Sequence, residues 1–148
     1  MDDVVVKLVE TETELEGAIN VRMRVFVVEQ QIPPEEELDE ADATATHAIA
    51  LQGGQVIGTG RMLLVDGDDE GTCRIGRMAV DREWRRHGVG GQILVFLEEQ
   101  ARQEGQTLCL LHAQEYVKAF YSGHGYVERG PVFMEAGIPH VEMVKPVG

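Results

Sequence analysis

The sequence predicts a mixed α/β fold, of the α+β mixed kind: a twisted mixed sheet flanked by helices, built around a central β-α-β unit. Three observations carry this. Strand-length apolar runs recur between residues 47 and 80. A basic, glycine-bearing turn, "DREWRRHGVGG" (81–91), then leads into a segment of helical periodicity, and a nearly unbroken apolar run, "TLCLLHA" (107–113), follows it. A strand covered on both faces reads as such a run, and a right-handed crossover places the glycine turn at the carboxyl end of a central strand, where open sheets bind ligands.

Each element can be justified in order. "VVVKLVE" (4–10) has the β-branched content of a strand. In residues 11–30, Thr11 with Glu14, or Thr13 with Glu16, can form a capping box ahead of a helix. Pro33-Pro34 then stops regular helix, and six carboxylates between Glu35 and Asp42 predict an exposed connection with at most one helical turn. "HAIALQ" (47–52), Gly53-Gly54 and "QVIGTGRMLLV" (55–65) read as a hairpin, because paired glycines supply the positive φ of tight turns. "DGDDEG" (66–71) turns the chain again, and "TCRIGRMAV" (72–80) is the third consecutive antiparallel strand. Ile93, Leu94, Leu97 and Ala101 share one helical face, which Gly105 is placed to end. After the apolar strand, residues 114–125 suit a short helix closed by Gly123 or Gly125, and two last strands flank a Gly-Ile-Pro turn at 137–139.

Composition narrows the function. The 148 residues, 43% of them hydrophobic, fit one domain with its own core over 1–148. No apolar run approaches the ~20 residues of a membrane span, and the acidic start "MDDVVVKLVE" is unlike a secretory signal, so a cytoplasmic protein is expected. With 26 Asp+Glu against 13 Lys+Arg and a net charge of -13, the chain lacks the basic face that nucleic acid requires. Cys73 and Cys109 sit in apolar strands without C-x-x-C spacing, and no histidine pair has zinc-like spacing. Buried reduced thiols and no metal are therefore expected.

Against this acidity, Arg82, Arg85, Arg86 and His87 crowd one turn, directly before Gly88, Gly90 and Gly91. A helix start presents unpaired N–H groups and partial positive charge, and glycines admit a phosphate close to the backbone. A Walker loop fails here for want of a lysine followed by Ser or Thr, and the dinucleotide fingerprint fails because Ile93 occupies its third glycine position.

The series Arg85-x-x-Gly88-x-Gly90 after "RMAV", with "AFYSGHGY" (119–126) downstream, resembles the acetyl-CoA-binding signature of the GNAT superfamily of N-acetyltransferases. "RVFVVEQ" (24–30), "HAQ" (112–114) and "GIPHVEM" (137–143) resemble its ElaA/YjcF-like branch, so the resemblance spans nearly the whole chain. Gln114 stands where many members have Asn, and Tyr126 where Phe is common.

The resemblance implies acetyl-CoA as co-substrate, no metal, and a primary amine of a small molecule or peptide as acceptor. It implies that Met78, Ala79 and Val80 pair through their backbone with the pantetheine arm, and that Arg86, His87, Gly88, Val89, Gly90 and Gly91 cradle the pyrophosphate with charge from Arg85 or Arg86. Gln114 and Tyr121 complete the cofactor side, Tyr121 as hydrogen-bond or proton donor to the departing thiolate. The Val80 N–H is placed to polarise the thioester carbonyl. On the acceptor side stand Glu29 as ammonium ligand or base, His112 and His140 as rival bases, and Phe26 and Arg77, with Arg24 and Gln30, as pocket residues. Exposed terminal strands leave homodimerisation by edge pairing open. The alternative reading is a non-catalytic acyl-CoA sensor, or an interaction domain that uses the acidic segment 35–42.

Overall fold

The computed structural model describes residues 3–64 and 71–148. Strand β1 (Val5–Leu8) precedes helix α1 (Glu12–Arg22), which runs on without a break as a π-helical segment, Met23–Glu29. The long helix expected over 11–30 is thus two kinds of helix. Thr11 Oγ1 accepts from the Glu14 N–H at 3.1 Å, and Glu14 returns the bond to the N–H of Glu10 at 2.8 Å. The predicted capping pair therefore forms, with its return bond one residue earlier than the box requires.

The acidic segment holds helix α2 (Pro34–Glu37) and a 3₁₀ turn, Glu40–Ala43. Strands β2 (Thr46–Gln52), β3 (Gln55–Leu64) and β4 (Thr72–Val80) follow as an antiparallel meander. Val65 and all of the expected 66–71 turn except Gly71 lie outside the described residues. Helix α3 (Val89–Gln103) crosses over to β5 (Leu108–Gln114), which pairs parallel with β4. Helix α4 (Lys118–Gly123) and strands β6 (Val127–Glu128), β7 (Phe133–Glu135) and β8 (Ile138–Pro146) complete one eight-stranded sheet, of order β1-β2-β3-β4-β5-β8-β6 with β7 beside β8. The last hairpin turns at Ala136-Gly137, whose φ values are 52° and 73°, and Ile138 and Pro139 already belong to β8. That corrects the expected Gly-Ile-Pro turn: two successive positive φ angles are what a two-residue hairpin requires.

Helix α3 buries the predicted face: Ile93, Leu94, Leu97 and Ala101 are fully excluded from solvent. Each large apolar side chain so buried contributes about 1.5–3 kcal/mol. The helix lies tight against β3 because Gly60 has no side chain; a Cβ there would come within 2.6 Å of Met78 Sδ and 3.0 Å of Ile93 and Leu97. A second, smaller core joins Val21, Val25, Phe26 and Ile32 of the first helix and its exit to Ala79 of β4. Cys73 and Cys109 are both free and buried, directly opposite on β4 and β5 with their sulfurs 3.3 Å apart.

Candidate active site

The site starts from a fault in the sheet. Arg77 and Met78 of β4 stand opposite the single residue Gly60 of β3, between the pairs Arg61–Gly76 and Thr59–Ala79, and Arg77 takes φ 52°. Such a bulge bends its strand. Strands β4 and β5 accordingly pair only from Thr72–Leu108 to Arg74–Leu110, then part for the rest of their length. The Asp81 N–H donates back to Ile57 O at 2.9 Å. Strand alternation then turns the N–H and C=O of Val80 the other way, into the gap between β4 and β5.

At the mouth of this gap the chain makes the basic turn. Arg86 and Gly88 have φ 67° and 79°, and no side chain caps the N-terminus of α3. Its first N–H groups are left for an external acceptor. Arg86 and His87 are exposed there, with His87 edge-on to Trp84 at 6.0 Å. Val89 is buried, while Gly90 lies 3.5 Å from Phe120 and Gly91 3.2 Å from His124, measured from a constructed Cβ. A groove of about 680 Å³ runs from Gly88 and Gly91 past Gln92, Phe120 and His124.

The end of the π-helical segment spans the gap. The Gln30 N–H bonds Val25 O, five residues back, at 3.2 Å. This widened register, common at functional positions, aims two neighbouring side chains at opposite strands. Glu29 takes a bidentate pair from Arg85 (2.8 and 2.9 Å), and Arg85 Nε also donates to Val80 O at 2.9 Å. Gln30 exchanges amide hydrogen bonds with Gln114 of β5 (2.8 and 3.3 Å) and donates to Tyr116 Oη at 3.1 Å. Arg24, on the same segment, clamps the buried Asp81 with two bonds of 2.8 and 2.9 Å. Phe26 points into the second core rather than into open space.

Tyr121 is 9% exposed and lies edge-on to Phe120 and Tyr126. Burial pushes its pKa up to about 12, with a smaller contribution from Tyr116. Among the described residues no group hydrogen-bonds its hydroxyl, so the phenol is protonated and its donor is available.

His112 and His140 converge on a residue that the sequence reading missed, Glu135. His112 Nδ1 lies 2.8 Å from an Arg74 nitrogen and 3.3 Å from Glu135, and His112 Nε2 lies 3.6 Å from Glu142. His140 donates from Nδ1 to Ile138 O at 2.7 Å and presents Nε2 to Glu135 at 3.5 Å. Arg74 can only donate, so where it bonds Nδ1 that nitrogen accepts. His112 thus ties β5 to the β7–β8 hairpin, and His140 braces the hairpin itself.

Arg77 is drawn into a different network. Its guanidinium meets Glu37 O at 3.2 Å and the carboxylates of Glu37 and Asp39 at 3.3 and 3.2 Å. Arg22, 1% exposed, binds Glu37 and Asp42 at 2.7 Å each, and Arg61 binds Asp39 and Asp42 at 2.7 Å each. The acidic segment is largely exposed, as expected, yet Glu37, Asp39 and Asp42 also neutralise three arginines and pin the bulge. Burial opposes the Asp42 carboxylate, yet the bonds from Arg22 and Arg61 hold its pKa down to about 2. Glu37 goes the other way, raised by burial that outweighs its bond from Arg22. The sequence marks these acids only as part of an exposed connection; the fold shows that Arg22, Arg61 and Arg77 reach them.

A parted pair of parallel strands with an uncapped, glycine-led helix start at its mouth leaves backbone groups free for an extended ligand that ends in an anion. Residues 9–147 match the Acetyltransferase (GNAT) domain family. The chain is 37% identical to the uncharacterized N-acetyltransferase YjcF of Bacillus subtilis (strain 168), over 93% of this chain and 96% of that protein. An acyl-CoA N-acyltransferase from Pseudomonas aeruginosa superposes with a TM-score of 0.82 at 31% identity, covering 98% of this chain and 99% of that one. Escherichia coli ElaA shares the fold, with a TM-score of 0.81 at 24% identity over 98% and 99% of the two chains. The chain belongs to the GNAT acetyltransferase family, in its ElaA/YjcF-like branch. Among the described residues no side-chain cluster suits a metal ion, and no helix is long and apolar enough to cross a membrane.

Proposed function

We propose that this chain, working as a single domain over residues 1–148, transfers an acetyl group from acetyl-CoA to a primary amine of a small molecule or peptide. The observation that carries the reading is the parting of β4 and β5 beyond Arg74–Leu110, with the uncapped start of α3 at its mouth. The residues fit the donor. Met78, Ala79 and Val80 offer the backbone edge for a pantetheine arm, and residues 86–91 offer N–H groups to a pyrophosphate. Arg86, exposed beside those groups, adds positive charge. Acetyl-CoA supplies a thioester carbonyl carbon open to attack by a neutral amine.

The chain's own groups then divide the work. The Val80 N–H, facing the gap, polarises the carbonyl oxygen. Tyr121 Oη, protonated at any physiological pH by its raised pKa, gives its hydrogen bond or proton to the sulfur as the carbon–sulfur bond breaks. Glu29 receives the acceptor's ammonium and takes up the proton released as nitrogen becomes neutral, directly or through water. Gln114, held by Gln30, completes the donor side, and His112 of β5 and His140 of β8, held around Glu135, shape the acceptor side.

Calorimetric titration with acetyl-CoA tests this, comparing the parent with a Gly88→Glu, Gly90→Glu variant of unchanged circular dichroism. The parent is expected to bind and the variant to lose at least about tenfold in affinity, since two carboxylates face the pyrophosphate. A folded parent that does not bind overturns the reading. A panel of primary amines assayed for CoA thiol release then identifies the acceptor.

A further inference from the structure

Arg85 lies across the donor side and the acceptor side at once. Three of its N–H groups are committed, two to the Glu29 carboxylate at 2.8 and 2.9 Å and one to Val80 O at 2.9 Å. Val80 O is the carbonyl that strand alternation turns into the β4–β5 gap, where a pantetheine amide would seek an acceptor. Glu29 is the carboxylate proposed to receive the amine, and its side chain is only 19% exposed beneath a 39% exposed Arg85. One guanidinium therefore occupies both groups the reaction needs. Arg85 also begins at the turn residue next to Arg86, within reach of any anion held on residues 86–91.

We propose that Glu29 and the donor's pyrophosphate compete for Arg85, so that donor binding moves the guanidinium off Glu29 and Val80 O and opens the acceptor's cation site. This rests on the reading of the turn as the pyrophosphate site. The exchange is physically balanced. A carboxylate and a pyrophosphate both take a guanidinium bidentately, and the pyrophosphate carries more charge. The released Glu29 carboxylate keeps Arg82 as a partner only at 3.6 Å, through a side chain 76% exposed, a contact too loose to block an ammonium. Before the exchange, Glu29 is neutralised by Arg85 and has little attraction for a cation. After it, the carboxylate stands uncompensated beside the gap. Glu29 thus tunes donor affinity downward as well as serving the acceptor.

The test is a double-mutant cycle read by calorimetric titration with CoA, which needs no acceptor and no turnover. Glu29→Gln, close to isosteric, removes the competing charge, and CoA is expected to bind about three- to fivefold more tightly, the scale of a partly exposed ion pair. In an Arg85→Gln background the same Glu29→Gln change is expected to alter affinity by less than about twofold, because the exchange has lost its subject. Equal tightening in both backgrounds would mean plain relief of negative charge and overturns the proposal, as does no tightening in either. If the folded parent and both single variants all fail to bind CoA, the pyrophosphate reading of the turn falls and takes the exchange with it. Binding by the parent without coupling to Arg85 leaves that reading intact and removes the exchange alone.

Discussion

Tyr121 shows how much one side chain owes to its surroundings. A phenol in water ionises near 10; here burial among Phe120 and Tyr126 pushes it to about 12. The sign matters for the chemistry. A raised tyrosine pKa keeps the proton on, so its donor capacity does not change across pH 6–9. Tyr121→Phe is expected to lower kcat by about a hundredfold or more, the usual scale for a lost general acid, while leaving acetyl-CoA affinity within about twofold. Measuring kcat and the calorimetric Kd on the same variant checks it; a kcat within threefold of the parent would return Tyr121 to the core. The sequence singles out this residue because the aromatic pair and glycine of "AFYSGHGY" follow the glycine turn in the order the resembled signature has. Its unpaired hydroxyl was not, since helical spacing says only that a side chain faces inward. The same limit applied to Glu29 and Arg85, both picked out from sequence but for separate jobs. They lie far apart in the chain, and no periodicity announces that they meet.

Among the elements, the acidic segment most changed its meaning once folded. Proline and six carboxylates predicted solvent exposure, and Glu35, Glu36, Asp39 and Glu40 are indeed exposed. Glu37, Asp39 and Asp42 also meet Arg22, Arg61 and Arg77, which come from α1, β3 and β4. Strand and helix periods were legible because burial repeats at two or 3.6 residues; a long-range ion network has no period. The network predicts a penalty. Arg22→Met leaves the 3% exposed Glu37 with only the longer 3.3 Å contact to Arg77 and is expected to cost about 3 kcal/mol in urea unfolding, the usual scale for breaking a buried pair from one side. A cost below about 1 kcal/mol would show the segment to be dispensable. Acid should expose the same network. The Asp42 pKa is about 2 in the folded chain against an ordinary 3.8, so its stabilisation is full above about pH 4 and is lost as pH falls toward 2. Glu37, raised by burial, contributes with the opposite sign at higher pH, so the steep loss belongs to Asp42 and its neighbour Asp39, lowered by Arg61. Asp42→Asn is expected to be less stable at pH 7 and to flatten the melting-temperature profile between pH 4 and 2; an unchanged slope contradicts the assignment.

For the molecule as a whole, the balance of charge bears on the acceptor. A net charge of -13 sets a long-range field that disfavours a polyanion and favours a cation, while Arg82, Arg85 and Arg86 reverse that field only within the turn. On the proposed reading, local contacts meet the donor and the field of the whole surface meets the acceptor. If Glu29 and this field receive the acceptor together, a primary amine bearing a second positive charge is preferred over one bearing a carboxylate, and the preference is electrostatic in origin. The Debye length shortens from about 30 Å at 0.01 M to about 8 Å at 0.15 M salt, so long-range attraction fades across that range while hydrogen bonds at the site persist. The expected outcome is that kcat/KM for a dicationic amine falls by roughly threefold or more between those salt concentrations, that a neutral-tailed amine changes little, and that the donor's calorimetric Kd, measured in parallel, accounts for none of the difference. Equal salt slopes for cationic and neutral-tailed amines would place selectivity in the shape of the acceptor side, around His112 and His140, and remove charge as its cause.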